Sequence, residues 1–155
     1  MRQWLERRSR TAGCLVLLAV TLGFLLWPVS FARFTRADRA TVFDVYEIPW
    51  DGAPVSTQLS RAEITPLLDT LEGAGVSFRG LEQAVPQEEG QRLFSFSFFR
   101  ETEQGDVRTA HFFLRSDGAL YRSSQLWGYA RYQLTGCDLD AFAAAWDGLP
   151  GPAGR

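Results

Sequence analysis

The chain has 155 residues, of which 46% are hydrophobic and 14% aromatic, which argues against disorder and leaves room for one domain of ordinary size but not two. All 16 basic residues are arginine, and asparagine is absent, so the chain has no N-glycosylation acceptor. The net charge of −2 hides an asymmetry: residues 1–40 carry +5, whereas residues 41–149 carry sixteen acids against eight arginines, a balance of −8. So acidic a domain is repelled by phosphate backbones, and nucleic acid is not expected as a partner.

The amino-terminal decapeptide "MRQWLERRSR" reads as a basic cytoplasmic flank, residues 1–10. From Thr11 to Ala32 there is no charge; as a helix this run is about 33 Å long, against about 30 Å of hydrocarbon in a bilayer. Two readings stay open. Residues 11–32 form a signal-anchor transmembrane helix, with the membrane as partner and a single-pass, carboxyl-terminal-outside placement in the cell membrane. Alternatively, Pro28 ends the apolar part of a signal peptide and Ser30-Phe31-Ala32 supplies its cleavage site, so that the chain is secreted after a cut near Ala32. "TAGC" at 11–14 imitates a lipoprotein box, but there the cysteine should follow the apolar stretch, and here Cys14 precedes it. Residues 33–40 read as a polar linker.

An extracytoplasmic α+β domain is expected over 41–149. "TVFDVYEIPW" alternates and ends at Pro49, which predicts a strand. Ser60 followed by Glu63 predicts a capping box, and Ile64, Leu67, Leu68 and Leu71 form one apolar helical stripe; Pro66 inside it predicts a kink, or a restart capped by Thr65. "VSFRGLEQAVPQEEG" has no clear period. Phe94, Phe96 and Phe98 alternate with Ser95 and Ser97 in a half-buried strand, and "VRTAHFFLR", "ALYRSS" and "GYARYQL" follow as strands joined by tight turns, Asp117-Gly118 among them. Asp138 opens a last helix that presents Leu139, Phe142 and Trp146 on one face, and residues 150–155 read as a loose tail. The expected fold is therefore an amino-terminal membrane helix and then an antiparallel sheet of about five strands with two helices, in the order β-α-β-β-β-β-α.

The pattern of Glu47-Ile48-Pro49 closing the first strand, with Tyr121, Gln125, Gly128 and Tyr129 in the last strands, resembles small extracytoplasmic domains of unknown function in Gram-positive anaerobic bacteria. The resemblance spans roughly residues 42–147 and departs at "SSQLWGYARY", where that family more often has proline after the glutamine. It implies a fold and an extracytoplasmic address, and no chemistry.

Catalytic signatures are sparse. His111, the single histidine, lacks a recognisable nucleophile motif, although a hydrolase using it would need an acid, serine or cysteine brought within hydrogen-bond reach. Asp138-Leu139-Asp140 reads as helix capping rather than metal binding, and Glu88-Glu89 as a solvated turn. Cys14 and Cys137 stand far apart and cannot pair as a disulfide; Cys137 reads as a small hydrophobe. No metal or cofactor is expected, and no enzyme. Trp127, Tyr129 and Arg131 would alternate on one strand face, and these residue types carry binding energy at interfaces. They are the candidate surface for a ligand, a protein or a cell-envelope partner. The expected function is thus a non-enzymatic binding, accessory or sensor module; the alternatives are an exported hydrolase using His111 and a structural envelope component.

Overall fold

The pattern of the β-strand residues decides the architecture. In the computed structural model, which describes residues 14–21, 23, 27–50, 54–124 and 128–150, eight strands join in one sheet. They are β1 (Val29–Ser30), β2 (Val42–Ile48), β3 (Thr57–Ser60), β4 (Gly75–Glu82), β5 (Leu93–Thr102), β6 (Gly105–Arg115), β7 (Ala119–Ser124) and β8 (Gly128–Thr135), in the spatial order β1-β4-β8-β7-β6-β5-β2-β3 with antiparallel neighbours throughout. Helical residues 14–21 (α1), α2 (Phe31–Thr35), a 3-10 turn (Ala37–Arg39), α3 (Arg61–Asp69) and α4 (Leu139–Asp147) complete the chain.

Because strand side chains alternate between faces, Phe94, Phe96 and Phe98 all point to one side, and so do Ala110, Phe112 and Leu114 opposite them. These six join Phe31 of α2, Ile64 and Leu67 of α3 and Phe142 of α4 in a single buried cluster. Phe96 stacks on Phe112 at 4.9 Å, and Trp146 closes over Phe94 at 4.5 Å. The helix ends have the chemistry their residues suit. The Ser60 hydroxyl accepts from the Glu63 N–H, the Glu63 carboxylate accepts from the Ser60 N–H at 2.8 Å, and the Asp138 carboxylate accepts from the Asp140 and Ala141 N–H groups. Helix α3 runs through Pro66 without a restart; the Thr65 hydroxyl turns back to donate to the Arg61 carbonyl.

Three expectations are corrected here. The sheet has eight strands, not about five, and its order is not β-α-β-β-β-β-α. The added strands are those with the weakest period: β1 is two residues long, β3 buries Leu59 alone, and β4 has a bulge between Phe78 and Gly80 that shifts its alternation. The transmembrane helix is the second correction. Among the described residues no helix is long and apolar enough to cross a membrane, so neither the membrane as partner through residues 11–32 nor the single-pass localisation stands. The physical reason lies at the far end of that run. Pro28 is followed by Val29 and Ser30 pairing with Val76 and Gly75, and Phe31 enters the core at 4% exposure. The third concerns residues 33–40, expected as a linker: they form α2 and the 3-10 turn, with Thr35, Ala37 and Ala40 buried. Residues 1–13, 22, 24–26 and 151–155, which carry parts of the expected flank, span and tail, lie outside the described residues.

The opposite face of the sheet is also covered. Strand β4 ends beside the β7–β8 turn, as Glu82 faces Tyr129, whereas β5 begins beside the β6–β7 turn, as Leu93 faces Arg115. Residues 83–92 must therefore cross from one end of the sheet to the other, past β8, β7 and β6. Their departure is packed so closely on β8 that a Cβ on Gly128 would lie 2.7 Å from the Glu82 carbonyl oxygen. Their arrival is fixed by Glu88, which accepts from Arg115 at 2.6 Å. Leu93, Ala119 and Tyr121, at 4%, 0% and 0% exposure, are buried on this side, apart from the helix-covered cluster.

Candidate functional site

On the face away from α3 and α4, strand register lines up polar and aromatic side chains. Asp44 and Tyr46 of β2 oppose Ser97 and Ser95 of β5; these oppose His111 and Phe113 of β6; Phe113 opposes Tyr121 of β7, and Tyr121 opposes Arg131 of β8. Tyr129 and Arg131 share this face as expected from their spacing, while Tyr132 points to the other, against Phe34 and Phe78. Trp127 lies outside the described residues, so the expected trio is represented by Tyr129 and Arg131.

The aromatic groups make a continuous, half-buried ladder. His111 meets Phe113 edge-on at 4.9 Å, and Phe113 meets Tyr129 at 5.9 Å. Below it the charges are matched. Arg131 donates to Glu82 at 3.0 Å, and buried Arg115 is held by Asp117 and Glu88. Among the described residues three buried polar atoms on this face have no partner: Ser95 Oγ, Tyr121 Oη and Arg131 Nε. Each unpaired group of this kind costs about 1–3 kcal/mol relative to a satisfied one. Burial pushes the Tyr121 phenol above its ordinary range, so the hydroxyl keeps its proton and can both donate and accept.

His111 has a neighbour that the sequence alone did not announce. Its Nδ1 lies 2.9 Å from Ser97 Oγ. The arrangement does not make a relay of the Ser-His-Asp kind, in which the acid orients the imidazole. Asp44 lies across from Ser97, not on His111, and its carboxylate accepts from the Ser56 hydroxyl. Ser97 also sits mid-strand between β2 and β6, where both ladders engage the backbone N–H groups that an oxyanion hole would need. Burial lowers the His111 pKa from its ordinary value, and the charge of Arg108 lowers it further, against a backbone hydrogen bond at Phe96. The unfolded chain therefore takes up a proton first, so stability falls as pH drops from about 6.5 toward the folded value. His111→Gln should flatten that fall between about pH 7 and pH 5, measured as urea midpoints at the two pH values.

Other groups with chemical potential are engaged or quenched. Burial raises the Cys137 pKa and so keeps its thiol protonated and weakly nucleophilic, Asp138 caps α4, and Glu88 pairs with Arg115. Among the described residues no group of three His, Cys, Asp or Glu side chains is placed to hold a metal ion. Sequence reasoning missed Ser95, Tyr121, Glu82 and Arg115. The Phe-Ser-Phe-Ser-Phe alternation signalled a second face, but not that residues 83–92 would cover part of it. Comparison with family models, with characterised proteins and with solved structures finds no match for this chain.

Proposed function

We propose that the protein is a non-enzymatic binding module whose recognition surface is the His111–Phe113–Tyr129 ladder with Arg131 at its end. What carries the reading is the row of half-buried rings on one face of the sheet, His111 against Phe113 at 4.9 Å and Phe113 against Tyr129 at 5.9 Å. Arg131 and Arg115 against Glu82, Glu88 and Asp117 leave these ion pairs at a net charge of −1, which disfavours an anionic ligand and leaves room for an uncharged one. Half-buried ring faces beside the partly exposed Arg131 guanidinium suit a molecule with apolar faces and hydrogen-bonding hydroxyls, a neutral saccharide.

The experiment is a nuclear magnetic resonance titration of the full chain with a panel of neutral oligosaccharides. Shifts should cluster on β6, β7 and β8, and Tyr129→Ala should weaken binding at least tenfold while leaving the unliganded melting temperature within a few degrees. Shifts that cluster elsewhere, or equal binding by Tyr129→Ala, would overturn the reading. The 2.9 Å contact between Ser97 and His111 favours a second reading, an ester- or amide-hydrolysing enzyme. Covalent labelling of Ser97 by a fluorophosphonate, abolished in His111→Gln, is the result that would replace the first reading with the second.

A further inference from the structure

Between β1 and β2 the chain builds a second feature, independent of the sheet face. Residues 31–40 are anchored from inside: Phe31, Thr35, Ala37 and Ala40 are buried, the Phe31 N–H donates to the Ala74 carbonyl at 2.9 Å, and the Arg61 guanidinium donates to the Ala37 carbonyl. Arg33, Arg36 and Arg39, three residues apart, are left on the exposed side. Together with Ser30, Ala32 and Asp38 they line a cavity of about 530 Å³, within the range of sites for small molecules.

Two details set this cluster apart from ordinary solvated charge. Among the described residues neither Arg33 nor Arg36 has an ion pair, and Arg39 has a loose one, 4.0 Å from a largely exposed Asp38. Arg36 is also the one non-glycine residue with positive φ among the described residues, at φ 53° and ψ 35°. Glycine or asparagine would take that left-handed corner with less strain, and an outlier of this kind is a pointer to function. The three arginines and Asp38 leave a local charge of +2 on a chain whose remaining domain is acidic.

We infer that this cavity is a binding site for a small phosphate monoester. A phosphate dianion balances the local charge, and its three terminal oxygens match guanidinium forks better than a single carboxylate does. The same groups would take a phosphate from a lipid headgroup, so the test separates the sources.

The probe is phenyl phosphate, added to the full chain at fixed ionic strength with chloride as control, while the Nε–H resonances of the arginines are followed. Saturable shifts of Arg33, Arg36 and Arg39 at submillimolar concentration, weakening as salt rises, are expected. Arg33→Gln with Arg36→Asn should weaken binding at least tenfold, with asparagine chosen to keep the left-handed corner, and Arg79→Gln should leave it unchanged. A response no greater than that to chloride, shifts confined to other arginines, or equal weakening by Arg79→Gln would each overturn the site. Phosphatidylcholine vesicles with and without phosphatidic acid form the second arm; shifts of the three resonances with phosphatidic acid, and none with phenyl phosphate, would overturn the soluble ligand. The resonances of the unsubstituted chain decide the matter even if the double variant fails to fold.

Discussion

Phe31→Ala should cost about 3–5 kcal/mol of folding stability, read as a lower urea midpoint at unchanged slope. Phe31 is 4% exposed, and its ring meets Phe112 edge-on at 5.8 Å inside the cluster that also holds Phe96 and Phe98. Truncation removes the transfer energy of the ring and leaves a cavity that a strand-anchored neighbourhood can close only in part. Phe34→Ala is the internal comparison. Its ring is half-buried against Tyr132 at 4.8 Å, so the loss should be clearly smaller. Since small domains have about 5–15 kcal/mol in total, Phe31→Leu provides a milder variant if the alanine form is too unstable to titrate. The comparison bears directly on the amino-terminal run. A chain cut near Ala32 would lose β1 and Phe31 together, so equal costs at positions 31 and 34 would mean that this segment is not integral to the fold.

The parts of the fold that could be read from the residues are those in which local pattern and final environment agree. Phe94-Ser95-Phe96-Ser97-Phe98 alternates because one side meets α4, and Ser60 with Glu63 caps because the two side chains satisfy each other locally. Where the environment is set by distant chain, the residues say little. Val29 and Ser30 belong to an uncharged run that reads as one long helix, and only their partners Val76 and Gly75, more than forty positions on, make them a strand. In β4 the bulge at Gly80, with φ 152°, moves the alternation by one residue, so "GVSFRGLE" shows no period of two. The site follows the same division. Tyr129 and Arg131 share a face because strand geometry requires it, whereas the burial of Ser95 and Tyr121 depends on the path of residues 83–92.

Arg115 offers the second large effect, and the variants should rank against first intuition. Asp117→Ala should cost about 3 kcal/mol, whereas Arg115→Met, which deletes the buried cation itself, should cost roughly 1 kcal/mol or less. The Arg115 side chain is 5% exposed and forks onto Asp117, with Nε to Oδ1 at 3.0 Å and a terminal nitrogen to Oδ2 at 2.6 Å. Asp117 also accepts from the Ala119 N–H, which ties the ion pair to the β6–β7 turn. Removing Asp117 strands a buried guanidinium with one remaining acid, Glu88, whose side chain is 58% exposed. Methionine instead keeps an apolar stem of similar length, and both acids can turn to water. Glu88→Ala leaves the two-point fork intact and should cost under about 1 kcal/mol. The pH dependence has the matching sign. The Arg115 hydrogen bonds hold the Asp117 carboxyl below the usual carboxylate range, against burial, so its contribution is present above about pH 4 and is lost as pH falls through the lower folded value. Arg115→Met removes the largest cause of that shift, so its urea midpoints should fall less steeply below pH 4 than those of the unsubstituted chain. If Arg115→Met proves costlier than Asp117→Ala at pH 7, the ion pair is a net source of stability rather than a charge that must be kept company once buried.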